Sequence, residues 1–129
     1  MRSRGDSHGN LALKLEKHPA LGGPGGGSNP EELFALAYAA CFHSSLRHVA
    51  KQHSISIGET IVEASVSLGI QKKEHDDAPA RLGLAVTVMA DVRGVTDEQA
   101  QQLADLAAEF CPYARAVSGN IETRAVGVG

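Results

Sequence analysis

The apolar positions fall into segments of different period. A short run, Leu11 to Leu15 (LALKL), reads as a strand. Residues 22–29, GGPGGGSN, hold five glycines and a proline, a loop that needs unusual backbone angles or a close backbone approach. Asn29 then stands as an N-cap, Pro30 at the first helical position, and Glu31 and Glu32 in the first turn, where acidic groups complement the helix dipole. The segment behind them, ELFALAYAACFHSSLRHVAKQH, is apolar over its first three turns and rich in alanine, which predicts a central helix gripped on several sides with Cys41 in its middle.

Residues 60–70 and 82–92 alternate and are rich in β-branched side chains, so they read as a strand pair joined by the charged stretch QKKEHDDAPAR. Thr96 with Gln99 forms a capping box for a second helix, DEQAQQLADLAAEF, with an apolar face of Leu103, Leu106, Ala107 and Phe110. Pro112 interrupts it just after Cys111, a turn or short helical piece follows, and IETRAVGV reads as a last strand. The order strand, long helix, strand pair, helix, strand predicts an α+β fold, with helices segregated from an antiparallel sheet.

At 129 residues the chain reads as a single domain over 1–129, able to bury roughly two-thirds of its unfolded surface. No apolar run approaches membrane-spanning length, and the N-terminal MRSRGDSHGN lacks the apolar segment of a secretory signal, so the expected location is cytoplasmic with no membrane partner. A net charge of -3, no Trp, three Phe and two Tyr offer neither a basic patch nor a stacking platform, which argues against nucleic acid. Six histidines raise the question of metal, but none forms an HExxH frame. His43, His48 and His53 recur every five residues and walk around a helix, so a solvated histidine-rich helix is the better reading and no metal site is expected.

Cys41 and Cys111 lie 70 positions apart, with no CxxC motif. A cysteine centred in an apolar helix is by default a small core residue. Cys111 stands where a helix meets a proline and backbone groups leave the ladder, so its side chain can reach a neighbouring helix or solvent. The two form a candidate redox couple, and a positive group held by a carboxylate would be needed to stabilise a thiolate.

GGPGGGSNPEELFALAYAACF, residues 22–42, resembles the glycine-rich loop and helix of the organic hydroperoxide resistance proteins, within the OsmC-like superfamily. CPYARAVSGNIE, residues 111–122, is similar to their second cysteine motif, and the likeness runs over nearly the whole chain from Leu11. The resemblance implies a thiol-dependent peroxidase built as an intertwined α+β homodimer with active sites at the subunit interface. It makes Cys41 the peroxidatic cysteine, Cys111 the resolving cysteine, and Glu31 the acid that orients a catalytic arginine. That arginine belongs in a glycine-flanked loop ahead of the first apolar strand, where Arg4, followed by Gly5 and Asp6, is the better candidate and Arg2 the other. The further N-terminal strand that the family carries before this loop is expected to be missing.

With those roles, an adjacent guanidinium would lower a thiol of reference pKa near 8.5 by roughly one to three units. Cys41 would attack the peroxide to give a sulfenic acid, and Cys111 would convert it to a disulfide. Phe34, Leu36, Tyr38 and Phe42 would favour alkyl or fatty acid hydroperoxides, since burying hydrocarbon contributes about 0.8 kcal/mol per methylene. No bound cofactor is implied, and the resemblance makes the external dithiol reductant a dihydrolipoyl group, with a lipoylated protein as partner. The alternative is a non-enzymatic dimeric binding protein of the same fold, its cysteines structural. Glu31 and Cys41 are ten residues apart, about 15 Å along one straight helix and rotated by roughly 80°, so both can serve one site only if the helix breaks or the acid comes from a second subunit. With no Pro or Gly between Pro30 and Cys41, the second option is expected.

Overall fold

The structure, a computed structural model, describes residues 2–4, 12–71 and 81–129. The elements are β1 (Arg2–Arg4), β2 (Ala12–Lys14), α1 (Pro30–Gln52), β3 (Thr60–Gln71), β4 (Arg81–Val92), α2 (Asp97–Phe110), α3 (Pro112–Val117) and β5 (Glu122–Val128). Leu11 and most of the charged connection between β3 and β4 lie outside the described residues.

The cap signals act as expected. The Asn29 side chain accepts a hydrogen bond from the Glu32 backbone N–H at 2.9 Å, and Pro30 opens α1, which then runs 23 residues without interruption. Thr96 and Gln99 form the reciprocal capping box of α2. The glycine-rich loop folds back along β2, with the Glu16 N–H donating to the Ser28 carbonyl at 2.9 Å and the Ser28 N–H to the Lys14 carbonyl at 3.1 Å. This return is possible because Gly25 and Gly26 take φ of +71° and +75°, open to glycine at little cost.

β3 and β4 pair antiparallel from Thr60↔Val92 to Gln71↔Arg81. β5 pairs with β4 in parallel, from Ala85↔Glu122 to Asp91↔Val128, so the sheet β3-β4-β5 is mixed where an antiparallel one was expected. The reason is the connection: α2 and α3 form a crossover that returns the chain to the starting end of β4, which a two-residue hairpin turn cannot do. The α+β class itself stands. A second difference lies at the N-terminus, where β1 pairs with β2 through Arg4↔Ala12 and Arg2↔Lys14, so both candidate arginines lie in a strand where a loop was expected.

Val86, Val88, Ala90 and Val92 on β4 are buried while Thr87 and Met89 between them are exposed, so one face of the sheet meets the helices. Phe42, Leu46 and Val49 of α1 and Ala100, Leu103, Ala104 and Ala107 of α2 fill that face. Phe110, expected on the apolar face of α2, is 45% exposed and lies against exposed His48 of α1 at the rim, while its neighbours Ala107 and Cys111 are fully buried.

α2 also satisfies the free edge of β5. The Gln101 side chain donates to the Ala125 carbonyl at 3.1 Å and accepts from the Gly127 N–H at 3.0 Å. This approach leaves no room for a side chain at Gly127, where a Cβ would fall on the Ala100 carbonyl. Gly127→Ala is therefore expected to destabilise the fold by about 1–3 kcal/mol, as overpacking against an immovable backbone does. Urea unfolding measures it, and an unchanged midpoint would show that α2 can move off β5 freely.

Candidate active site

Cys41 lies on α1, half-buried, and Cys111 is fully buried at the junction where α2 stops and α3 starts. Pro112 makes that junction. It has no N–H to continue α2 but fits the first position of a new helix, so Cys111 becomes the C-cap of one helix and the N-cap of the next in extended conformation. The Cys111 N–H donates to the Ala107 carbonyl at 2.7 Å, and its carbonyl accepts from the Arg115 N–H at 3.0 Å. Held from both sides, the Cys111 thiol points at Cys41, with the sulfurs 3.4 Å apart and both thiols free. A disulfide needs about 2.05 Å, so closing the gap takes a movement of about 1.4 Å.

Aromatic rings wall this pair. Tyr38 is buried, packs against Phe34 with ring centres 5.9 Å apart, and meets Tyr113 edge to face at 6.5 Å. Burial raises the Tyr38 phenol above its ordinary range, and charge on Cys111 and Cys41 adds to the effect. Burial likewise pushes the Cys41 thiol up, reinforced by the Cys111 thiol beside it, while a hydrogen bond from the Tyr113 backbone N–H opposes the rise. Beyond Tyr38 opens a cavity of about 470 Å³, lined by Tyr38, Phe42, Val88 and Ala114 together with Arg115 and Arg124.

The two cysteines are thus brought together, with Phe34 and Tyr38 nearby and Phe42 buried in the core beneath. Leu36 is 69% exposed and stands roughly 140° around α1 from Cys41, away from the pair. Glu31 is half-buried in the first turn of the same unbroken helix, about 15 Å along the axis from Cys41. Arg4 pairs through its backbone in β1, and its side chain lies outside the described residues. Sequence reasoning missed Tyr113. Pro112 at the first helical position was the available signal, because it leaves Tyr113 as the earliest N–H of α3 free to face a sulfur.

The family model for OsmC-like protein matches residues 23–125, a span that includes both cysteines and Glu31. The chain belongs to the OsmC-like family. Its relatives include the organic hydroperoxide resistance protein OhrB of Bacillus subtilis, 42% identical over 98 residues that cover 76% of this chain and 68% of that protein. The organic hydroperoxide resistance protein of Xanthomonas axonopodis pv. citri is 39% identical over 114 residues, 87% of this chain and 75% of that one. Among solved structures, an organic hydroperoxide resistance protein from Legionella pneumophila superposes with a TM-score of 0.80 at 38% identity, covering 92% of this chain and 82% of that one.

Among the described residues of this OsmC-like protein, no three or more His, Cys, Asp or Glu side chains stand together as metal ligands, and no helix is long and apolar enough to cross a membrane. His43, two positions from Cys41, departs from the solvated role expected of it. It is half-buried and shares a hydrogen bond between its Nε2 and the Thr60 hydroxyl, tying α1 to the start of β3. Burial, aided by the nearby Arg47 charge, lowers its pKa below the ordinary histidine value. The unfolded chain therefore takes up a proton there before the folded one does. Stability is complete above the ordinary His pKa of about 6.5 and is lost as pH falls from there through the lower folded value. His43→Gln is expected to flatten the fall in melting temperature between about pH 7.5 and 5.5. Equal slopes for both proteins would show that His43 protonates in place at no expense to the fold.

Proposed function

We propose that this protein is a thiol peroxidase that reduces organic hydroperoxides to alcohols through Cys41 and Cys111. The observation that carries the reading is the pair of free thiols with sulfurs 3.4 Å apart, drawn from two helices across one core. The names of the relatives, organic hydroperoxide resistance proteins, support the substrate class.

Cys41 takes the peroxidatic role because it is the more accessible thiol, and the Tyr113 N–H faces its sulfur. Its thiolate attacks the distal peroxide oxygen. The O–O bond breaks, the alcohol leaves with a proton, and Cys41 becomes a sulfenic acid. The Cys111 sulfur then attacks the Cys41 sulfur, an S–S bond forms as the S–O bond breaks, and the hydroxyl departs with the Cys111 proton as water. One hydroperoxide and two thiols thus become one alcohol, one water and one disulfide. An external dithiol must reduce that disulfide, and a dihydrolipoyl group on a lipoylated protein is the reductant proposed. A reducing cytoplasm suits a pair that starts each cycle as thiols. The apolar ring surfaces of Phe34 and Tyr38 favour alkyl and fatty acid hydroperoxides over hydrogen peroxide.

Adding one equivalent of cumene hydroperoxide to reduced protein is expected to remove both thiols with a mass loss of two hydrogens. Cys111→Ser is expected to stop instead at sulfenic or over-oxidised Cys41. Survival of both thiols would favour the alternative of a dimeric binding protein with structural cysteines, with which the raised Cys41 pKa agrees.

Among the described residues no cation offsets that rise. An ordinary thiol is only about 3% thiolate at pH 7, and burial leaves less. A cation must therefore come to Cys41, and Arg4 held by Glu31 is the pair proposed. α1 is continuous from Pro30 to Gln52 and carries Glu31 about 15 Å along its axis from Cys41 of the same chain, which supports a composite site in a homodimer, with Glu31 given by the second subunit. Mixing Cys41→Ser with Glu31→Ala protein, under conditions that exchange subunits, is expected to restore up to half the activity of a normal dimer. No recovery from a proven heterodimer would place Glu31 and Cys41 of one chain in one site.

A further inference from the structure

α1 meets the α2–α3 junction at three successive points. Tyr38 packs on Tyr113 at 6.5 Å, Cys41 on Cys111 at 3.4 Å, and His48 on Phe110 at 4.5 Å with the ring planes only 21° apart. Positions 38, 41 and 48 lie on one stripe of the helix, within roughly 80° of arc, while the opposing residues run in order from 113 through 111 to 110. The sulfur pair is therefore bracketed by an aromatic contact on either side.

The two brackets differ in kind. Tyr38 and Tyr113 are beside the reacting atoms, and Tyr113 also supplies the N–H that faces Cys41. His48 and Phe110 are exposed, stand about 10 Å further along α1 from Cys41, and touch neither sulfur by any hydrogen bond among the described residues. Phe110 is nevertheless the residue bonded directly to Cys111. The backbone hydrogen bonds of Cys111, to Ala107 and from Arg115, orient it within its own two helices and do not tie it to α1. The stack at Phe110 adds such a tie immediately next to the thiol, beside the Tyr38–Tyr113 contact and the core packing of α1 on α2. A sulfur gap of 3.4 Å that must close to about 2.05 Å is sensitive to the angle at which α2 ends against α1.

We propose that the His48–Phe110 stack is a positioning element for the resolving step: it holds the end of α2 against α1 so that the Cys111 thiol stays aligned on Cys41. The proposal rests on the peroxidase reading for its place in the cycle, where Cys111 attacks sulfenic Cys41, an S–S bond replaces the S–O bond, and water leaves. It assigns the stack no part in the attack of Cys41 on peroxide.

The test uses full-length His48→Ala and Phe110→Ala, with His48→Phe to rebuild a stacked pair. Reduced protein is mixed rapidly with cumene hydroperoxide, and sulfenic Cys41 is trapped with dimedone and followed by mass spectrometry. Both alanine variants are expected to lengthen the sulfenic lifetime about threefold to tenfold, the range of an ordinary aromatic pair, with no change in the second-order rate of Cys41 oxidation. His48→Phe is expected to restore the short lifetime. In parallel, the equilibrium between the thiol pair and its disulfide is measured in glutathione redox buffer, where the alanine variants are expected to form the disulfide less readily by a similar factor. An unchanged lifetime and an unchanged glutathione equilibrium in the alanine variants would overturn the proposal, as would failure of His48→Phe to restore either. If wild-type protein does not consume the hydroperoxide, the peroxidase reading fails, and the glutathione measurement still decides the role of the stack.

Discussion

The arrangement depends on one covalent constraint, the missing N–H of Pro112. α2 cannot continue through it, so the chain turns at Cys111 and starts α3 at once. A cysteine one turn earlier in α2 would face wherever the helix phase sent it. At the junction, Cys111 takes an extended backbone, leaves the helical phase, and drops its sulfur into the core beside α1. The same break frees the Tyr113 N–H, so one proline both delivers the second sulfur and exposes a donor for the first.

Much of this was legible because its signals are local. The caps at Asn29 and Thr96, the period-two runs of β3 and β4, and the break at Pro112 each act within four or five residues, and the structure bears them out. The direction of β5 was not legible. Its sequence has the same alternation whether it runs parallel or antiparallel, and only the path of the α2–α3 crossover decides. The exposure of Phe110 escaped for a similar reason: it has the right period for a core face, but the structure places it at the rim against His48, which periodicity cannot show. His43 read as solvated because periodicity cannot show that β3 begins opposite it. The cysteines could be suspected of pairing, but their 3.4 Å separation is a tertiary fact.

The position that brings the two sulfurs together also works against their chemistry. Burial fixes geometry, because a close-packed interior allows few arrangements, and it disfavours the thiolate that would react. The Tyr113 N–H offsets only part of that penalty. A protein using this pair for peroxide reduction has to import its positive charge from outside the core. An exposed charge brought up to a half-buried sulfur keeps its own solvation in part, whereas a cation built into the core would meet the full desolvation penalty.

This separates two tasks that a single cluster would have to combine. Alignment of the sulfurs is intrachain and local to the contact between α1 and the α2–α3 junction, where aromatic packing sets the angle. Under the proposed function, activation of Cys41 draws on Glu31, which the unbroken α1 holds about 15 Å along its axis from that thiol. Under the composite-site reading, an isolated chain would hold an aligned but unactivated thiol pair, and reactivity would appear only when two chains meet. The stiffness of α1 is what couples the two tasks. A kink between Glu31 and Cys41 would let one chain complete its own site, and it would also shift the stripe of Tyr38, Cys41 and His48 on which the alignment depends.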